Sequence, residues 1–338
     1  MSGGPRSVGA DVAALPATAS APAPAGPATA VRIGMPQLAH AGLSEHWLLR
    51  ECGDRHWCAL AARLGLADPV FADDAGRTAY AAFLGLRLTG ARLAEVREHD
   101  RLVIDTRLLR LAPARHLSVH GLAVNGRPVG RLELLSTFVR RAAAGDNRSV
   151  TRVSVPADAA LDGSGASAEA LSGAAGAIVP ATAGADDDRT VPARLRAAVP
   201  LAARVRALRD GLDLAAEGLV APTQPREFRF TPCPRNDFNG AEFLYFASFA
   251  ALLDRAAWDW WREPPDVLTA DREIAFAGNL NAGETLVITL AGLHAAGPAA
   301  GHACELRASD GRLLARALTR RASAPLPRCP AARHDLQP

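Results

Sequence analysis

Nucleophiles are scarce in this chain, and the scarcity limits its chemistry. All 38 of its Lys-plus-Arg positions are arginine; there is no lysine. Such a chain cannot form a lysine Schiff base, anchor pyridoxal phosphate, carry biotin or lipoate, or complete a G-x-x-x-x-G-K-[ST] phosphate loop. Two tyrosines are present, Tyr80 and Tyr245. Tyr80 stands where the chain enters a strand pattern, in Arg77-Thr-Ala-Tyr-Ala-Ala-Phe83. Tyr245 lies in the apolar run Phe-Leu-Tyr-Phe and reads as a packing tyrosine of a helix. The cysteines number 5, an odd and sparse set without a C-x-x-C pair. Cys52, His56 and Cys58 lie close together, but C-x3-H-x-C matches no common zinc spacing and has no second pair. Buried or idle thiols are expected there rather than a metal site, in a reduced, cytoplasmic compartment.

Two polar groupings could line a site. Asn236, Asp237 and Asn239 crowd together before a very apolar stretch. Capping explains one or two of them, and three suggest a polar pocket wall. Gly42-Leu43-Ser44 and Asn239-Gly240 open two expected helices. Backbone amides at a helix start, approached closely past glycine, suit a developing oxyanion; the alternative is that both glycines only permit tight entry turns. Glu45 and Glu242 hold corresponding places near those starts. Each is either a general base or a first-turn glutamate favoured by the helix dipole. His40, His46 and His56 lie on or near the first helix, where an imidazole could assist a nucleophile.

The elements that must position these residues follow from periodicity. The 338 residues are 49% hydrophobic and 22% charged with net charge +3, an ordinary soluble composition with room for about two domains. The charge is too small and too scattered for nucleic acid. No apolar run is long enough to span a membrane. Residues 1–30 read as a disordered Ala/Pro-rich leader, 142–195 as a low-complexity linker and 325–338 as a flexible tail. A helix is expected over 40–65, followed by strands near 80–89, 100–111, 116–125 and 129–141 with a hairpin at Asn125-Gly126. A short helix follows the linker at 200–211. The second block (196–324) repeats the order of the first (31–141): a strand at 226–231, a helix over 240–261, then strands near 272–278, 284–293, 302–308 and 313–320. The repeat extends to residues, with Asp54-Arg55 and Trp57 in the first helix and Asp254-Arg255 and Trp258 in the second. A strand, a buried helix and an antiparallel sheet curling round it make the hotdog layout. Two copies give an α+β double hotdog whose sheets join edge to edge. Trp57, Trp258, Trp260 and Trp261 are expected to fill the helix–sheet core or the seam between halves.

Two long stretches carry a resemblance. Gly34-Met-Pro-Gln-Leu with Gly42-Leu-Ser-Glu-His-Trp-Leu-Leu-Arg-Glu-Cys-Gly-Asp-Arg-His-Trp57 resembles the N-terminal signature of the leinamycin-pathway bifunctional acyltransferase/decarboxylase family. Pro232-Cys-Pro-Arg-Asn-Asp-Phe-Asn-Gly-Ala-Glu-Phe-Leu-Tyr-Phe-Ala-Ser-Phe249 resembles its second signature. The likeness covers roughly 31–141 and 196–320. It implies a double hotdog that takes an acyl group from methylmalonyl-CoA onto a tyrosine, decarboxylates it, and passes it to an acyl carrier protein without metal, biotin or flavin. By position, it assigns the acyl-accepting role to Tyr80, with a half-buried strand tyrosine as the alternative. Asn236 or Asn239 would then hold the carboxylate or the thioester oxygen. Arg77, His40, His46 and His56 are the groups near enough in sequence to assist the phenol. Acyl-CoA and an acyl carrier protein are the partners implied, with no cofactor. Two other functions stay open: a hotdog thioesterase or dehydratase using Glu45 or Glu242, and a non-catalytic carrier-binding protein. A double hotdog either suffices as a pseudo-dimer or pairs again as a homodimer.

Overall fold

The computed structural model describes residues 29–160, 200–264 and 266–323. The leader to residue 28, the tail from 324 and the linker from 161 to 199 lie outside the described residues. The first unit contains β1 (Thr29–Arg32), β2 (Leu38–Ala39), β3 (Gly42–Leu43), α1 (Glu45–Arg63), β4 (Phe71–Ala72), β5 (Thr78–Thr89), β6 (Arg101–Ala112), β7 (Arg115–Val124), β8 (Arg127–Arg141) and β9 (Val150–Arg152). Helix α2 (Leu201–Asp210) follows. The second unit contains β10 (Leu219–Val220), β11 (Glu227–Phe230), α3 (Phe246–Trp261), β12 (Val267–Phe276), β13 (Leu286–His294), β14 (Gly301–Ala308) and β15 (Leu313–Ser323).

The long strands lie where period-two patterning puts them, and the hairpins obey local chemistry. Asn125 and Gly126 both have positive φ (51° and 76°), as a two-residue primed turn requires. All strands except β2 and β3 join one sheet ordered β1-β6-β7-β8-β5-β12-β15-β14-β13-β10. Its two halves join where Gly85–Leu88 of β5 pair antiparallel with Arg272–Ala275 of β12. That pairing removes an edge from each half-sheet.

The inner face wraps α1 and α3. Leu48, Leu49 and Cys52 of α1 and Phe249, Leu252 and Leu253 of α3 share one core with Leu86, Leu88, Ile104, Leu134, Ile274 and Ile288 of the sheet. The outer face is covered at the seam by α2. Its Leu201, Val205 and Leu208 pack on Leu117, Leu135, Ala275 and Leu318. Gly85 permits this, because a Cβ there would sit 2.3 Å from Val205 Cγ2.

Residues 142–160, assigned by composition to the linker, belong to the first unit instead. Asn147, Val155 and Asp158 are buried. β9 extends the sheet at β8, and a helical turn at Pro156–Ala159 brings Asp158 onto Arg110 and His116, both at 2.9 Å. Specific polar contacts, which composition does not register, hold this stretch in place.

Candidate active site

Beyond Gly85 the seam opens. Residues 78–84 of β5 have no β12 partner, and a cavity of about 950 Å³ occupies the gap. Strand alternation sends Ala79, Ala81 and Phe83 to the inner face and Tyr80, Ala82 and Leu84 to the outer face. Side chains from both faces line this one cavity, so it passes through the sheet. Its inner wall includes Trp57, Phe246 and Phe249. Its outer wall includes Thr137, Val139 and Arg209. The volume suits a small-molecule substrate.

Tyr80 is half-buried. Its ring meets Phe243 edge to face, centroids 5.3 Å apart. The Arg141 guanidinium lies over both rings, 5.6 Å from the Tyr80 centroid and 4.1 Å from that of Phe243. None of the groups sequence proximity suggested is the cation that reaches Tyr80. Arg77 pairs with Asp73 at 2.8 Å. His40 is exposed in the β2–β3 turn. His46 and His56 do not line the cavity. His56 is buried between Ser118 and Ser136, at 2.8 Å from each, and burial holds its imidazole well below its ordinary pKa.

The second half supplies the facing wall as a loop rather than a helix start. α3 begins at Phe246, not near Gly240. Asn239 Oδ1 accepts from the amides of Ala241 and Phe243, and Glu242 has φ 60°. A left-handed residue in that turn stops a helix from propagating through it. Asp237 is also spent on the loop, accepting from the Cys233 amide at 2.7 Å. Asn236, Asn239 and Gly240 line the cavity with Tyr80, while Asp237 and Glu242 do not. Glu242 is exposed. Tyr245, placed in the helix by its apolar neighbours, is instead the α3 N-cap residue. It lines the cavity too, and burial pushes its hydroxyl up to about 12. The amides opening α3 thus fall at Phe246 and Ala247, where a helix leaves its leading N–H groups unpaired.

A single buried residue fixes this loop. Asn147 donates to the carbonyls of Glu242 (2.7 Å) and Leu280 (2.6 Å), and its amide donates to Asn281 Oδ1 at 2.7 Å. Its Oδ1 accepts from Arg141 Nε at 2.8 Å. Arg141 also donates to the Ala241 carbonyl.

The other first-half candidates lie at the opposite end of the seam. Leu43 and Glu45 line a smaller cavity of about 230 Å³ with Asp254, Thr269, Glu263 and Arg321. Ser44 caps α1 by accepting from the Trp47 amide at 3.2 Å. Gly42 permits a close packing contact: a Cβ there would stand 2.2 Å from the Leu93 carbonyl oxygen. Glu45 pairs with Arg272 at 2.7 Å.

Among the described residues, the cavity lining contains no Asp, Glu, His or Cys; its polar side chains are tyrosine, asparagine, threonine, tryptophan and arginine. Among the described residues, no group of three or more His, Cys, Asp or Glu side chains is arranged to hold a metal. Sequence reasoning missed Arg141, Asn147 and Arg209, which carried no motif in an arginine-rich chain. Of the four grouped tryptophans, Trp57 lines the cavity and donates to the Ala81 carbonyl at 2.9 Å. Trp258, expected inside, is half exposed. No helix among the described residues is long and apolar enough to cross a membrane.

No family model matches the sequence, and no curated protein matches it significantly. Solved structures do match. The 12:0-ACP thioesterase of Umbellularia californica superposes with TM-score 0.53 at 11% identity, covering 88% of this chain and 96% of that one. An acyl-ACP thioesterase of Bacteroides thetaiotaomicron gives TM-score 0.52 at 9% identity, covering 88% and 97%. At such identities the likeness is one of fold, and it runs through both units. Two helices, each wrapped by its own half of one continuous antiparallel sheet, make this chain a double hotdog.

Proposed function

We propose that the chain transfers an acyl group from a thioester, coenzyme A-linked in the first instance, to Tyr80 and on to a carrier-protein thiol. The observation that carries this reading is the cavity lining. Among the described residues it offers a phenol hydroxyl, amides and guanidinium groups, but no carboxylate or imidazole to activate water.

The chemistry follows from the groups present. The Tyr80 oxygen attacks the thioester carbonyl, the C–S bond breaks, and the phenol proton leaves with the thiolate. The tetrahedral oxyanion needs fixed N–H donors, and the start of α3, where Phe246 lines the cavity, is the place to supply them. A phenol leaves far more readily than an alkyl alcohol, so the aryl ester stays reactive toward the next thiol. The Arg141 guanidinium over the ring favours negative charge developing on the phenol oxygen. For a malonyl-type acyl group, loss of carbon dioxide places an enolate on the same ester oxygen. Protonation at carbon then precedes transfer, and thiol attack restores the phenol. The resemblance to the leinamycin-pathway family supports the decarboxylating form of this reaction.

A second reading is hydrolysis of acyl-carrier thioesters, favoured by the likeness in fold to two acyl-ACP thioesterases. It requires a general base, and neither Glu45 nor Glu242 lines the large cavity.

The test mixes purified protein with methylmalonyl-CoA and holo carrier protein and follows intact masses. An acyl adduct on the chain, lost in Tyr80→Phe, with decarboxylated acyl-carrier product, is expected. Free acid and CoA without an adduct, unaffected by Tyr80→Phe, would establish hydrolysis instead.

A further inference from the structure

Several arginines of the outer face are paired with carboxylates. Arg87 pairs with Glu133 at 2.6 Å, Arg204 with Glu217 and Glu273 at 2.6 and 2.7 Å, and Arg316 with Glu305 at 2.6 Å. Arg141 and Arg320 are held by Asn147 and by backbone carbonyls, while Arg115, Arg152 and Arg209 have no carboxylate partner among the described residues.

Register brings these three together. Tyr80 is opposite Val139, and Val139 is opposite Arg152. One row along, Ala82 is opposite Thr137, and Thr137 is opposite Arg115. Directly opposed residues share a face, so Tyr80, Arg152 and Arg115 all stand on the outer face. Two strand spacings separate Arg152 from Tyr80, about 10 Å between backbones. Arg209 enters from the last turn of α2 and lines the same cavity as Tyr80. It donates to the carbonyls of Phe276 and Leu84, at the point where β5 and β12 part. Its Nε is buried and without a partner. Burial and then the charges of Arg152 and Arg115 bear on it, all disfavouring its cation. Three like charges share this face, Arg209 in the cavity wall with a buried donor unused and Arg115 and Arg152 on the neighbouring strands, and such a site gains by taking up an anion.

We propose that Arg115, Arg152 and Arg209 form a subsite that binds an oxyanion of the substrate, a carboxylate or a phosphate, beside Tyr80. The assignment of this oxyanion to the substrate rests on reading the Tyr80 cavity as the acyl-thioester site. Planar guanidinium groups suit either oxyanion, because each offers paired N–H donors.

The full-length chain is titrated calorimetrically with malonate and, separately, with inorganic pyrophosphate. Arg115→Gln with Arg152→Gln removes two of the charges from the strand surface, and Arg209→Gln is the third variant. Wild-type binding of either anion, weakened at least tenfold in the double variant and again in Arg209→Gln, is the expected result. Malonate as the tighter ligand identifies a carboxylate on the acyl group; pyrophosphate identifies the phosphates of the coenzyme arm. Binding unchanged in the double variant, or no wild-type binding of either anion at millimolar concentration, overturns the proposal. Tyr80→Phe should bind both anions as the wild type does. Absence of a Tyr80 adduct would therefore sink the proposed reaction while leaving the anion site standing.

Discussion

Arg272 and Glu45 meet at 2.7 Å across the junction of the two halves, the arginine fully buried and the glutamate nearly so. Arg272 comes from β12 and Glu45 from the first residue of α1. Asp254 of α3 (2.6 Å) and Thr269 Oγ1 (2.9 Å) complete the guanidinium's contacts. This cluster occupies the end of the seam opposite Tyr80, at the corresponding place in the other half. Tyr80 is the third residue of β5 and Thr269 the third of β12. The two ends have diverged. One holds an open cavity with a phenol; the other is a small cavity closed by ion pairs.

The closed end predicts a stability effect. Arg272→Met leaves Glu45 buried without its cation, which costs about 3–5 kcal/mol. Urea unfolding should show that loss, and Glu45→Gln added to Arg272→Met should return much of it. A single Arg272→Met variant as stable as the wild type would mean that the pair does not tie the halves together.

Gly42 predicts a second, steric effect. Its φ of 111° is strained for any side chain, and an added Cβ would overlap the Leu93 backbone. Gly42→Ala should therefore destabilise by about 2–3 kcal/mol, seen as a lower urea midpoint with an unchanged slope. An unchanged midpoint would return Gly42 to the list of residues free for other work.

The fold was legible in the sequence because alternation and turns are local. Leu86 and Leu88 point inward, Asn125-Gly126 turns a hairpin, and Ser44 caps a helix, each for reasons its neighbours contain. The start of α3 was not legible. The run Ala241–Phe246 is apolar enough to read as helix, yet Asn239 folds it into a turn by accepting two amides. The grouping of Arg115, Arg152 and Arg209 was illegible for another reason. Arg115, Arg152 and Arg209 come from β7, β9 and α2, and only the sheet register and the docking of α2 join them. In a chain whose 38 Lys-plus-Arg positions are all arginine, residue type alone singles out none of the three.

Asn147 carries a prediction that separates stability from activity. It bridges the first unit to the Glu242 and Leu280 carbonyls and to Arg141. Asn147→Ala strands buried partners and should cost about 1–3 kcal/mol. The loop facing Tyr80 should loosen as well, so acyl transfer should fall about tenfold or more even at temperatures where the variant is fully folded. Full transfer by a folded Asn147→Ala protein would mean that the loop holds its place without this residue.

Buried histidines set the acid response. Burial lowers His56, His116, His120 and His302, with His120 near 3. His56 and His120 share the Ser118 hydroxyl at 2.8 and 2.9 Å, a chain that neutral rings satisfy completely. Unfolded histidine titrates near 6.5. Below that pH the unfolded chain takes up protons that the folded chain refuses, so stability falls as pH falls. Each histidine contributes a slope of at most about 1.4 kcal/mol per pH unit. Unfolding free energies measured in urea should therefore decline from pH 7 to pH 5, with protons taken up on unfolding. A flat profile across that interval would show that these imidazoles are not held neutral in the folded chain.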